Sequence, residues 1–184
     1  MQPPANTFRS SDTAAALAQA AARYQKIALL VGRPGSGKSA LLRAIAQQSS
    51  MPVVNLGLEL STKLLPLTIQ ERKLNASALI SDILDAQESP GLAVDNTEII
   101  FDPTLMINPL GLLQTISRTR LLVWTWNGTI ENGHVTYAYP GHPEYHRISA
   151  QDLTLIVLEI DKKSLFGNPG GPRPTRAENM PKPV

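Results

Sequence analysis

Cysteine is absent from all 184 residues. This excludes a disulfide framework and any thiolate-ligated metal, and it is compatible with a reducing compartment. No apolar run approaches the ~20 residues needed to span a bilayer. The opening Met1-Gln2-Pro3-Pro4-Ala5-Asn6 lacks the basic-then-apolar order of a signal peptide. No internal repeat is visible. A soluble, cytoplasmic protein without membrane contact is therefore expected. A broad basic surface is missing too, although the sequence pI is about 9.0. Residues 1–160 hold 12 Lys+Arg against 13 Asp+Glu, whereas residues 161–184 hold 5 against 2. The basic excess thus sits in a Pro/Gly-rich tail, residues 162–184, which is expected to be disordered. Any nucleic-acid contact would be confined to that tail. What remains, 42% hydrophobic and 17% charged overall, suits one folded domain over residues 1–161.

The most informative segment is Gly32-Arg33-Pro34-Gly35-Ser36-Gly37-Lys38-Ser39, which matches G-x-x-x-x-G-K-[ST] at every fixed position. Lys26 to Val31 before it reads as a buried strand, and Ser39 to Gln47 after it as a helix. Strand, glycine loop and helix together make a phosphate-binding loop. Glycines allow backbone N–H groups to converge on phosphate oxygens, and the helix N-terminus adds its positive end. Gly32, Pro34, Gly35, Ser36, Gly37, Lys38, Ser39 and Ala40 are the expected nucleotide-binding residues. Lys38 is expected to reach the β- and γ-phosphates of ATP, and the Ser39 hydroxyl to hold Mg²⁺.

Apolar patterning orders the rest. Ser10-Ser11-Asp12 starts a helix placed over residues 11–24. Strands are expected at 52–56, 91–95, 121–125 and 153–159, besides the one before the loop. A helix is expected from Ala76 to about Gln87 with Asn75 as its cap, after an ambiguous stretch from Gly57. Asn108-Pro109 starts another helix, running to Arg118. Thr129 to Tyr137 reads as a hairpin about Asn132-Gly133. The expected fold is α/β: a P-loop NTPase with a mainly parallel five-stranded sheet, helices on both faces and no separate lid domain.

Asp95 ends the apolar run Leu92-Ala93-Val94 and fits the second Mg²⁺-managing element, the Walker B aspartate. Asn96 follows it where many such ATPases carry glutamate. Glu98 is then the candidate water-activating base, against its reading as a solvated loop residue; Asp102 is the weaker alternative, since Asp102-Pro103 also reads as a helix start. Thr125 or Asn127, at the end of the fourth strand, would sense the γ-phosphate or act as turn residues. Trp124 and Trp126 alternate onto one side and read as core. Arg118, Arg120 and Arg147 are candidates for a charge-neutralising arginine acting across a subunit boundary. His142 and His146 are four apart, but Pro143 intervenes and no acidic third ligand is evident, which argues against a metal site.

Three further segments carry a resemblance: Pro52 to Ser61, Asp95 to Pro103, and Tyr137-Ala138-Tyr139-Pro140-Gly141-His142-Pro143-Glu144-Tyr145. With the phosphate loop they make residues 27–159 resemble the BrxF family, small P-loop proteins of type-three BREX phage-defence systems. The resemblance implies an AAA+-like ATPase core without the usual helical lid, working among other phage-defence proteins. ATP-promoted self-association is expected, with Arg118 or Arg120 at the interface. A small-molecule kinase and a non-catalytic nucleotide-gated scaffold are the alternatives, the latter favoured by Asn96.

Overall fold

The computed structural model describes residues 7–158; the basic tail lies outside them. Six strands run parallel in the order β1 (Thr7–Arg9), β8 (Thr154–Val157), β2 (Ile27–Gly32), β5 (Leu121–Glu131), β4 (Gly91–Asp95) and β3 (Val53–Asn55). β6 (His134–Tyr137) and β7 (His146–Ser149) continue the sheet as an antiparallel ribbon grown from the far half of β5. The α/β fold is as expected, but the strand number is corrected. A three-residue edge strand precedes the first helix, and β5 runs six residues past Thr125 before it turns. At that turn Asn132 (φ 49°) and Gly133 (φ 72°) are both left-handed, as a two-residue type I′ hairpin requires.

Every residue of β2 is buried, because helices cover both faces of the sheet. On one face Ile27, Leu29, Leu92, Val94, Trp124 and Trp126 pack beneath α3 (Leu56–Leu64), α4 (Ile69–Asp85) and α5 (Pro109–Ile116). On the other, Ala28, Leu30, Ala93 and Val123 meet α1 (Thr13–Ala21) and α2 (Lys38–Gln48) through Ala16, Ala20, Leu42 and Ile45. The small residues on this second face let α1 approach the strands closely. Each fully buried Leu or Ile contributes about 1.5–3 kcal/mol, so the two-faced core is what holds the parallel strands in register. No helix among the described residues is long and apolar enough to cross a membrane.

Three helices differ from expectation, α5 least, stopping at Ile116 rather than Arg118. α1 occupies Thr13–Ala21, shorter than 11–24, and a 3-10 turn (Ser10–Asp12) leads into it. α4 begins at Ile69, seven residues before Ala76. Its cap is Thr68, whose side chain and that of Glu71 bond each other's backbone N–H in a capping box. Asn75 lies inside the helix and donates to the Glu71 carbonyl.

The ribbon is pinned to the sheet by aromatic packing. Phe101 stands edge-on to Trp126 at 4.8 Å and stacks on Tyr137 at 3.7 Å. The Trp126 indole N–H donates to the Thr136 carbonyl at 2.9 Å. Gly128 passes so close that an added Cβ would sit 1.7 Å from the Thr136 oxygen. At the opposite edge of the sheet, Arg120 closes the end of α4. Its guanidinium donates to the Leu84 and Gln87 carbonyls at 2.9 and 3.2 Å and to the Asp85 carboxylate at 2.6 Å.

Two substitutions test this account by urea denaturation. Gly128→Ala is expected to lower stability by about 3 kcal/mol or more, since backbone, not a flexible side chain, fills the space. Arg120→Ala is expected to cost about 1–3 kcal/mol by leaving helix-end carbonyls without their donor. ATP affinity should be unchanged in the second variant.

Candidate phosphate-loop site

The C-terminal ends of the parallel strands converge on the glycine loop, where ligands of open α/β sheets bind. Gly35 (φ 78°) and Gly37 (φ 88°) take left-handed conformations, and Gly37 leads directly into α2. A Cβ at Gly32 would lie 2.5 Å from the Ser36 hydroxyl, so the loop folds back tightly on its first glycine. Leu41 is the first residue of α2 whose N–H bonds backward, to Gly37 at 3.0 Å. The N–H groups of Lys38, Ser39 and Ala40 therefore have no intrahelical acceptor. That is the donor set an anionic phosphate requires.

Lys38 is 7% exposed, and its ammonium donates to the Gly32 and Arg33 carbonyls at 2.9 and 2.8 Å. Burial pushes its pKa below the usual lysine value, while the charges of Glu98 and Asp95 oppose that shift. The Ser39 hydroxyl donates to the Asp95 carboxylate at 3.0 Å, joining α2 to the end of β4. Asp95 also accepts from the Asn96 N–H at 3.0 Å, and the Arg43 guanidinium stands 4.0 Å from its other oxygen. One hydroxyl and one carboxylate fit Mg²⁺ that arrives with phosphate oxygens and keeps several waters. Among the described residues no three His, Asp or Glu side chains gather to hold a metal alone.

Glu98 opens a 3-10 turn (Glu98–Phe101) beyond β4, and the Asn127 side-chain amide donates to its carboxylate. Asn127 is aligned with Gly32 across β2 and β5, so this pair sits beside the loop. Thr125 is buried; its hydroxyl points to the Val94 carbonyl at 3.5 Å, and its own carbonyl accepts from Thr97 at 2.6 Å. Of the two strand-end candidates, the structure brings Asn127 rather than Thr125 to Glu98. Asp102 accepts from the Thr104 N–H and hydroxyl and caps the next turn.

The arginine candidates lie elsewhere. Arg118 and Arg120 precede β5, whereas the loop follows β2. Because these strands are parallel, both arginines occupy the edge opposite the loop. Arg118 stands over the Tyr24 ring at 5.8 Å, Arg120 is held at the end of α4, and Arg147 bonds His134 at 3.1 Å.

A cleft of about 360 Å³ opens between the loop and the ribbon. Arg33 and Pro34 line one side, Tyr139, His142 and Glu144 the other, with Asn127 between them. The ribbon side is braced by two successive turns, from His142 back to Tyr139 at 3.0 Å and from Tyr145 back to His142 at 2.9 Å. Tyr137 donates to Glu144 at 3.3 Å. Burial first, then the Glu144 charge and hydrogen bond, raise the Tyr137 pKa to about 12, with Glu98 adding to the shift. Sequence spacing gave no sign of this cleft, because its walls lie about a hundred residues apart. Arg43 was legible in principle: it stands one helical turn after Ser39, on the same face of α2.

A family model described as ATPase family associated with various cellular activities (AAA) matches residues 28–100. No curated protein and no solved structure matches the chain. The matched stretch runs from β2 through the phosphate loop to the turn that carries Glu98, and it stops before β5 and the ribbon. The glycine loop, its helix, the aspartate-ended strand and this partial match together give the chain a P-loop NTPase fold.

Proposed function

We propose that this protein is a Mg²⁺-dependent ATP hydrolase. The Ser39–Asp95 hydrogen bond carries the reading, because it sets a hydroxyl and a carboxylate side by side at the mouth of a glycine loop. In this reading the N–H groups of residues 35–40 cradle the phosphates. Lys38 leaves the loop carbonyls to bridge the β- and γ-phosphates, and Ser39 with Asp95 holds Mg²⁺. Bound Mg²⁺ would neutralise phosphate charge and orient the γ-phosphate. Glu98 accepts the proton of the attacking water, and the Asn127 amide holds its carboxylate in place. Thr125 acts one step removed, by tying β4 to β5 beneath that pair.

The cellular setting follows from the resemblance to BrxF: a cytoplasmic component of a multi-protein phage-defence system. Its three segments are neighbours in space, which supports treating them as one unit. Gly57 approaches Asn96 so closely that a Cβ would meet its carbonyl at 2.9 Å, and Phe101 stacks on Tyr137. ATP-promoted self-association belongs to the same reading, with Arg118 at the interface rather than Arg120, whose guanidinium is held at the end of α4. The cleft beside Asn127 favours a second reading, transfer of the γ-phosphate to an acceptor seated there. Labelled ATP distinguishes the two, since hydrolysis releases all the label as inorganic phosphate.

Lys38→Ala should abolish ATP binding in calorimetry with the fold intact by circular dichroism; unchanged affinity would sink the assignment. Glu98→Gln should keep ATP bound and slow turnover by about 10²-fold or more. Wild-type turnover there would return the base role to another group. Light scattering with a non-hydrolysable ATP analogue should show a larger particle than without it, and a strict monomer in both conditions with full turnover would remove the assembly.

A further inference from the structure

The proposed chemistry needs positive charge near the γ-phosphate beyond Lys38, because charge gathers on the transferring phosphoryl group and its leaving oxygen. Most of the described arginines are engaged elsewhere or lie far from the loop. Arg23 donates to the Gln151 carbonyl, and Arg72 to those of Leu65 and Leu67. Arg43 faces Asp95, Arg120 is bound at the end of α4, and Arg147 faces His134. Arg118 lies over Tyr24 on the opposite edge. Arg9 ends β1, two strands away from β2.

Arg33 differs from all of these. It belongs to the phosphate loop itself, and its carbonyl holds the Lys38 ammonium at 2.8 Å. It is exposed, and no hydrogen bond or ion pair engages its guanidinium among the described residues. It lines the cleft together with Asn127, the residue that holds Glu98. Glu144, bonded by Tyr137, lines the same cleft.

We propose that Arg33 is a catalytic residue that supplies, from the loop of the same chain, the cation that neutralises the transferring phosphoryl group. The inference rests on the ATPase reading above. It makes the phosphoryl-transfer charge balance a property of one subunit. Self-association would then regulate the site without having to donate an arginine to it.

Arg33→Ala separates the alternatives. Turnover should fall on the order of 10³-fold, while affinity for a non-hydrolysable ATP analogue stays near wild type. The ADP–aluminium fluoride complex, which resembles the transferring phosphoryl group, should bind the variant far more weakly than wild type, with ADP affinity unchanged. That second readout decides the matter even where the isolated chain turns over slowly. Wild-type turnover and wild-type fluoride-complex affinity in Arg33→Ala would overturn the role of Arg33 and leave the ATPase reading standing. Failure of the unaltered protein to bind ATP would remove both.

Discussion

The site depends on a single feature of strand order: the end of β4 lies two strands away from the end of β2, with β5 between them. That order lets a hydroxyl on the first turn of α2 reach a carboxylate 56 residues further along the chain. Nothing local could bring Ser39 and Asp95 together. The two-faced aliphatic core does so, because a slip of one residue in β2, β5 or β4 would exchange the large side chains of one buried face with the small ones of the other. Stability and chemistry therefore share one cause, the register of three parallel strands.

The antiparallel ribbon extends the same logic beyond the sheet. β5 belongs to the parallel core through Asn127 and to the ribbon from Gly128 onward. The residue that meets Glu98 is thus the last one governed by the core. Phe101, from the turn that Glu98 opens, packs against both Trp126 and Tyr137. The candidate base, the amide that holds it and the cleft wall are consequently one packed body.

Much of this was legible in the chain, for physical reasons. The phosphate loop is contiguous and its conformation is local, so its residues announce it. Asp95 was legible because a carboxylate ending an apolar run must lie at a strand end. Asn132-Gly133 was legible because a type I′ turn demands those residue types. The capping box of α4 is present in the sequence as Thr68-x-x-Glu71, but Asn75, also a good capping residue, competes with it there. The pairing of Asn127 with Glu98 and the cleft walls were not legible, since they arise from tertiary packing across long separations. The position of Arg118 and Arg120 needed only one more step. A residue just before a parallel strand sits at the edge opposite a loop that follows another.

Asn96 gives the missing glutamate a backbone explanation. Its φ of 53° lies in the left-handed region, where asparagine is several-fold enriched over most residues. The bend carries the Asn96 carbonyl to where a Cβ on residue 57 would come within 2.9 Å of it, so it fits because Gly57 has no side chain. Grafting glutamate onto that position would place a long, unbranched acid on a bend suited to a short amide, with strain of about 1–2 kcal/mol. The next carboxylate along the chain is Glu98, the proposed base, which lies beyond the bend. Engineers who align such proteins column by column would mark this chain as inactive at its most diagnostic position. A comparison made by bond geometry would look for the carboxylate one turn later.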